Sequence, residues 1–127
     1  MKSIRLFVAL STLIAATPAH SQTAKEIRTT KGKATALTNL VALRQDCTIG
    51  LVDIPNVTTK PSHGDLQQAV ATIDLPPVQN CPAKPATAVI AIVYAPNDDF
   101  VGTDKVSFEV HVGGHLQNYT YTIAVSD

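Results

Sequence analysis

The chain lacks most of the short patterns on which chemistry is built. It has no Cys-x-x-Cys and no cysteine next to a histidine, which argues against a redox dithiol or a zinc site. No serine sits in a Gly-x-Ser-x-Gly elbow, and there is neither a glycine-rich phosphate cradle nor EF-hand spacing. Positive charge is not in excess, with 10 Lys and Arg against 10 Asp and Glu. Nucleic acid and anionic lipid are poor partners for such a chain, because both demand concentrated positive charge. No apolar run reaches the roughly 17–25 residues that cross a bilayer, so no transmembrane segment is expected.

What is present begins with an export signal. Lys2 and Arg5 precede an apolar or small run over residues 6–16, and Pro18 interrupts it. Ala19, His20 and Ser21 then offer small residues at the positions that signal peptidase reads, before Gln22. Residues 1–21 therefore read as a signal peptide, and the destination as periplasmic or secreted. Cleavage would remove two basic residues and leave a net charge of about −2 on a chain long enough for one domain. In an oxidising compartment the two cysteines, Cys47 and Cys81, predict one disulfide. Its ring is worth roughly 3–4 kcal/mol in the chain-entropy account.

Residues 22–33, QTAKEIRTTKGK, are polar apart from one Ile and read as a flexible leader. Residues 34–45 fit two periods at once: Leu37, Leu40, Val41 and Arg44 have helical spacing, yet the strands that follow favour a strand. A turn at Pro61-Ser62-His63-Gly64 leads into a candidate strand over 66–75 with Leu66, Val70 and Ile73 as apolar anchors. Residues 78–86, with Pro82 and Pro85, read as a connection. The run TAVIAIVYAP is apolar on both parities, which suits a central strand. Val106, Phe108, Val110 and Val112 alternate with polar residues, Gly113-Gly114 supplies a tight hairpin, and Tyr119, Tyr121, Ile123 and Val125 alternate again. Two such faces side by side need a covering layer, and six or seven short strands point to an all-β, antiparallel β-sandwich.

KPSHGDL (60–66), YAPNDDFVGTDKVSFEV (94–110) and YTYTIAVSD (119–127) resemble the bacterial cadherin-like and Ig-like domains of secreted and cell-surface proteins. The matching positions are Pro61, His63, Gly64, Tyr94, Pro96, Phe100, Gly102, Asp104, Phe108, Ile123 and Val125. The resemblance implies an Ig-like or cadherin-like domain over residues 34–127 and a spacer or recognition role. These motifs are architectural and say little of a ligand. On physical grounds Pro96 ends its strand, Phe100 folds back to plug the core, and Asp104 accepts hydrogen bonds from its own loop.

Three candidate sites compete with plainer readings. Asn97, Asp98, Asp99 and Asp104 offer the hard oxygens that Ca²⁺ prefers, but they suit a solvated connector equally. Animal cadherins take their Ca²⁺ between consecutive domains, and one domain supplies half of such a site. His63, His111 and His115 are too scattered in sequence for a three-ligand zinc site. Ser62, Ser107 and Ser126 have no base placed for them, so no catalytic residue is named. The Asn-x-Ser/Thr matches at Asn56 and Asn118 read as chance. The expectation is a non-catalytic module for binding, adhesion or envelope assembly, without a cofactor, whose partner is another protein or a cell-envelope component. The alternatives are a periplasmic inhibitor or chaperone-like protein that takes a client along a strand edge, and a Ca²⁺-binding adhesion domain.

Overall fold

In the last third of the chain, alternation alone dictates structure. Val106, Phe108, Val110 and Val112 point to one side of β6 (Gly102–Val112) and are buried. Gly113 and Gly114, at φ of 59° and 81°, turn the chain in two residues, so that Val112 faces His115. Successive positive φ angles match the twist of the flanking strands, as a tight hairpin requires. β7 (His115–Ser126) then buries Tyr121, Ile123 and Val125 on the same side. The rings of Phe108, Tyr119 and Tyr121 stack along this face.

The computed structural model describes residues 22–127; the signal-peptide reading of 1–21 lies outside the described residues. Among the described residues there are seven strands and no helix. The remaining strands are β1 (Gln22–Thr30), β2 (Thr35–Leu40), β3 (Asn56–Thr59), β4 (Gly64–Leu75) and β5 (Lys84–Pro96). One sheet runs β1-β7-β6-β3 and the other β2-β5-β4. Leu37 and Leu40 of β2 and Ile92 and Tyr94 of β5 pack with the buried residues of β6 and β7 in one core. The result is a two-layer β-sandwich, with every strand pair antiparallel except β1 with β7. As expected, β5 is a central strand: Ile92 and Tyr94 are buried on one parity, Val89 and Ala91 on the other.

The flexible leader is corrected. Residues 22–30 form β1, paired in parallel along β7 from Gln22–Asn118 to Thr30–Ser126. Over residues 24–30 only Ile27 and Thr29 turn inward, so a polar segment suffices. Thr29 Oγ1 meets Thr35 Oγ1 at 2.6 Å and donates to the Lys33 carbonyl, while Lys31 N bonds Ser126 O at 2.8 Å. These bonds replace the apolar anchors that composition searches for.

The ambiguity over 34–45 resolves as a bulged strand over Thr35–Leu40, with residues 41–45 outside it. Ala36 faces Val93 and Thr38 faces Ile92, so Leu37 is the extra residue. A bulge reverses side-chain parity. Leu37 and Leu40 can therefore both face the core at a spacing of three, which imitates a helix. A second irregularity admits Pro85: Leu75 pairs with Lys84, and pairing resumes at Ile73–Thr87. Thus β5 begins inside the stretch expected to be a connection, with its proline where the ladder is already broken.

Candidate functional site

The two ends of the sandwich are built differently. At one end, β6 brings Asp104 into the core with 4% of its surface exposed. A buried carboxylate is costly unless its oxygens are bonded. Here Oδ1 accepts from Ser62 N and Lys105 N, both at 2.9 Å, and Oδ2 accepts from His63 N at 2.9 Å and Tyr94 Oη at 2.8 Å. Burial pushes the Asp104 carboxyl up, but the hydrogen bonds from Ser62, Tyr94, His63 and Lys105 together hold it below the usual value. Burial first, and then the bond to Asp104 and its charge, raise the Tyr94 hydroxyl well above its ordinary range.

The other motif residues close around this clasp. Pro61 begins the turn, and a Cβ on Gly64 would lie 2.6 Å from the Ala95 carbonyl oxygen and 2.7 Å from the Tyr94 ring. Pro96 is the last residue of β5, and Asn97 N then bonds the His63 carbonyl at 2.8 Å. Phe100 packs on the core and stacks on His63 with ring centroids 4.1 Å apart, the plug expected of it. Gly102, at φ 144°, lets the chain pass the Phe100 ring. The expectation that Asp104 bonds its own loop is corrected. Three of its four donors come from other elements, Ser62 and His63 being 42 and 41 positions away.

The four Ca²⁺ candidates separate. Asn97, Asp98 and Asp99 are exposed on the loop, whereas both Asp104 oxygens are occupied by donors inside the clasp. No group of three or more His, Cys, Asp or Glu residues is gathered for a metal among the described residues. His63 belongs to the clasp. His111 and His115 lie on the hairpin at the far end of β6, His111 Nδ1 being 3.9 Å from Asp53 Oδ2. Ser107 Oγ is bonded to Thr120 Oγ1, and Ser126 Oγ donates to Thr29 O.

At the opposite end, the chain between β2 and β3 carries Ile49, Leu51 and Val52 past the far half of β4. Cys47 joins Cys81 across a Cα–Cα distance of 5.4 Å, tying this segment to the β4–β5 turn. The predicted disulfide is formed. A groove of about 320 Å³ opens here, lined by Leu40, Ile49, Leu51, Val52, Val70 and Ile90 among others. Leu51 is 82% exposed, Ile54 85% and Val70 74%. Val70, expected as a core anchor, is thus corrected to a surface residue. β3, the edge strand of the opposing sheet among the described residues, is only four residues long.

Beside the groove runs an open strand edge. β4 has twelve residues, pairs with β5 on one side, and has no strand on the other among the described residues. Between Asp65 and Asp74 it carries no charge, proline or glycine. Sequence reasoning missed this surface because an apolar residue in a strand reads as core, although that uncharged run between two aspartates was in view. No family model and no curated protein matches the chain.

Proposed function

We propose that this chain is an exported, non-catalytic β-sandwich module that binds another protein or a cell-envelope component at the end away from the Asp104 clasp. One observation carries the reading: Leu51 and Val70 are large aliphatic residues left in water in the lining of one apolar groove, and Ile54, two positions along the chain from the lining residue Val52, is exposed as well. Exposed apolar surface gathered in one place marks an interaction site. The Cys47–Cys81 disulfide fits an oxidising compartment, as does the signal-like start of the chain. The resemblance of its clasp residues to bacterial Ig-like and cadherin-like domains agrees with recognition by a rigid scaffold.

The open edge of β4 favours a second form of this reading, in which the client is an extended segment that adds a strand, as an inhibitor or chaperone-like protein would take it. The test is capture from an envelope extract of the source cell. Wild-type protein is compared with the Leu51→Asp, Ile54→Asp double variant, circular dichroism confirming that both are folded. A protein retained by the wild type and lost by the variant supports the role. Retention of nothing, or retention indifferent to the variant, overturns it.

A further inference from the structure

The sheet edges of this molecule are not equally protected. Exposed edges invite pairing, and proteins blunt them with charge, bulges, proline or brevity. β1 carries Lys25, Glu26 and Arg28, β2 is bulged at Leu37, and β3 has four residues with an irregularity of its own. β4 has none of these devices from Leu66 to Ile73, and its ladder with β5 is regular from Gly64–Pro96 to Ile73–Thr87.

We propose, building on the binding role above, that β4 pairs antiparallel with β4 of a second copy about a two-fold axis through Val70. The strand's charges permit this pairing, and Val70, near the middle of β4 and 74% exposed, sets the register. A two-fold axis normal to the sheet sets residues of one face opposite each other, so one residue must face its own copy. No such register within the strand puts Asp65 opposite Asp74. With Val70 on the axis, residues 65–75 of both copies overlap. Gln68 faces Thr72, Ala69 faces Ala71, Gln67 faces Ile73, and the two aspartates face Leu75 and Leu66. No like charges are opposed, and Val70, 74% exposed in the single chain, gains an apolar neighbour directly across the seam. Val70 also lines the groove, so the seam runs beside the exposed Leu51 and joins the two apolar surfaces. Two three-stranded sheets become one of six strands, with both β4 edges covered.

Sedimentation of the purified protein, disulfide intact, over a dilution series tests this. Wild type is expected to form a concentration-dependent dimer. Val70→Lys and Val70→Glu each set like charges face to face and should raise the dissociation constant about tenfold or more. An equimolar mixture of the two should dimerise again. Because directly opposed residues in an antiparallel pair come within disulfide reach, Val70→Cys should cross-link under oxidising conditions and Gln67→Cys should not. That arm also serves if a charged variant fails to fold. A wild type that stays monomeric, a dimer indifferent to Val70→Lys, or cross-linking at Gln67 in place of Val70 overturns the proposal. A monomer that still captures an envelope protein through Leu51 removes self-pairing and leaves the binding role. A dimer that captures nothing does the reverse.

Discussion

The clasp end and the groove end of this sandwich use opposite means. At the clasp, polar groups are taken out of water and every Asp104 oxygen finds a donor, while Gly64 and Gly102 let the chain pack close. At the groove, the layers part and aliphatic side chains stay in solvent. A satisfied buried network rigidifies and specifies a structure. An unfilled apolar surface does neither, and its natural completion is another molecule. The hydrogen-bonded closure is concentrated at the first end, and the proposed recognition surface lies at the second.

Breaking the clasp should have the largest effect. Asp104→Ala takes the acceptor from three backbone N–H groups and the Tyr94 hydroxyl, and should cost about 4 kcal/mol or more in urea unfolding. Removing the disulfide with Cys47→Ser and Cys81→Ser should cost roughly 3–4 kcal/mol. It should also free the segment bearing Ile49 and Leu51, so that partner capture weakens while the near-ultraviolet signal of the clasp tyrosine persists. Acid sharpens the contrast further. The Asp104 carboxyl is held below its ordinary value of 3.8, so its contribution is complete above that value and lost as pH falls through the depressed one. The thermal midpoint should drop below about pH 4 in the wild type, and that part of the drop should vanish in Asp104→Asn. Gly64→Ala forces a methyl group against the Ala95 carbonyl and should cost about 2 kcal/mol. Smallest of all, Leu51→Ser should change stability by no more than about 0.5 kcal/mol while reducing capture of a partner.

How much of this was legible in the sequence depended on how local the cause was. The β6–β7 hairpin was readable because alternation and Gly113-Gly114 are adjacent in the chain. The clasp residues were recognisable as a set, since turns demand particular residues, but the bonds of Asp104 to Ser62 and His63 span about forty positions and leave no local trace. β1 was hidden for the same reason: its partner β7 lies at the other end of the chain, and polar residues can hold a strand through its ladder. At Leu37 a single extra residue changed the period and mimicked a helix. Val70 misled because apolar identity tells nothing of whether a second layer lies above it. The candidate surface was therefore less legible than the fold: a groove exists only where the layers separate.

Site-resolved amide hydrogen exchange on the dilute protein tests the central contrast most directly. The Ser62 and His63 amides, though in a turn, should exchange as slowly as the β6–β7 ladder, while outward amides between Leu66 and Ile73 exchange rapidly until a second molecule covers them. Rapid exchange at Ser62 and His63, or full protection along β4 in the isolated chain, would contradict the division into a sealed end and an open one.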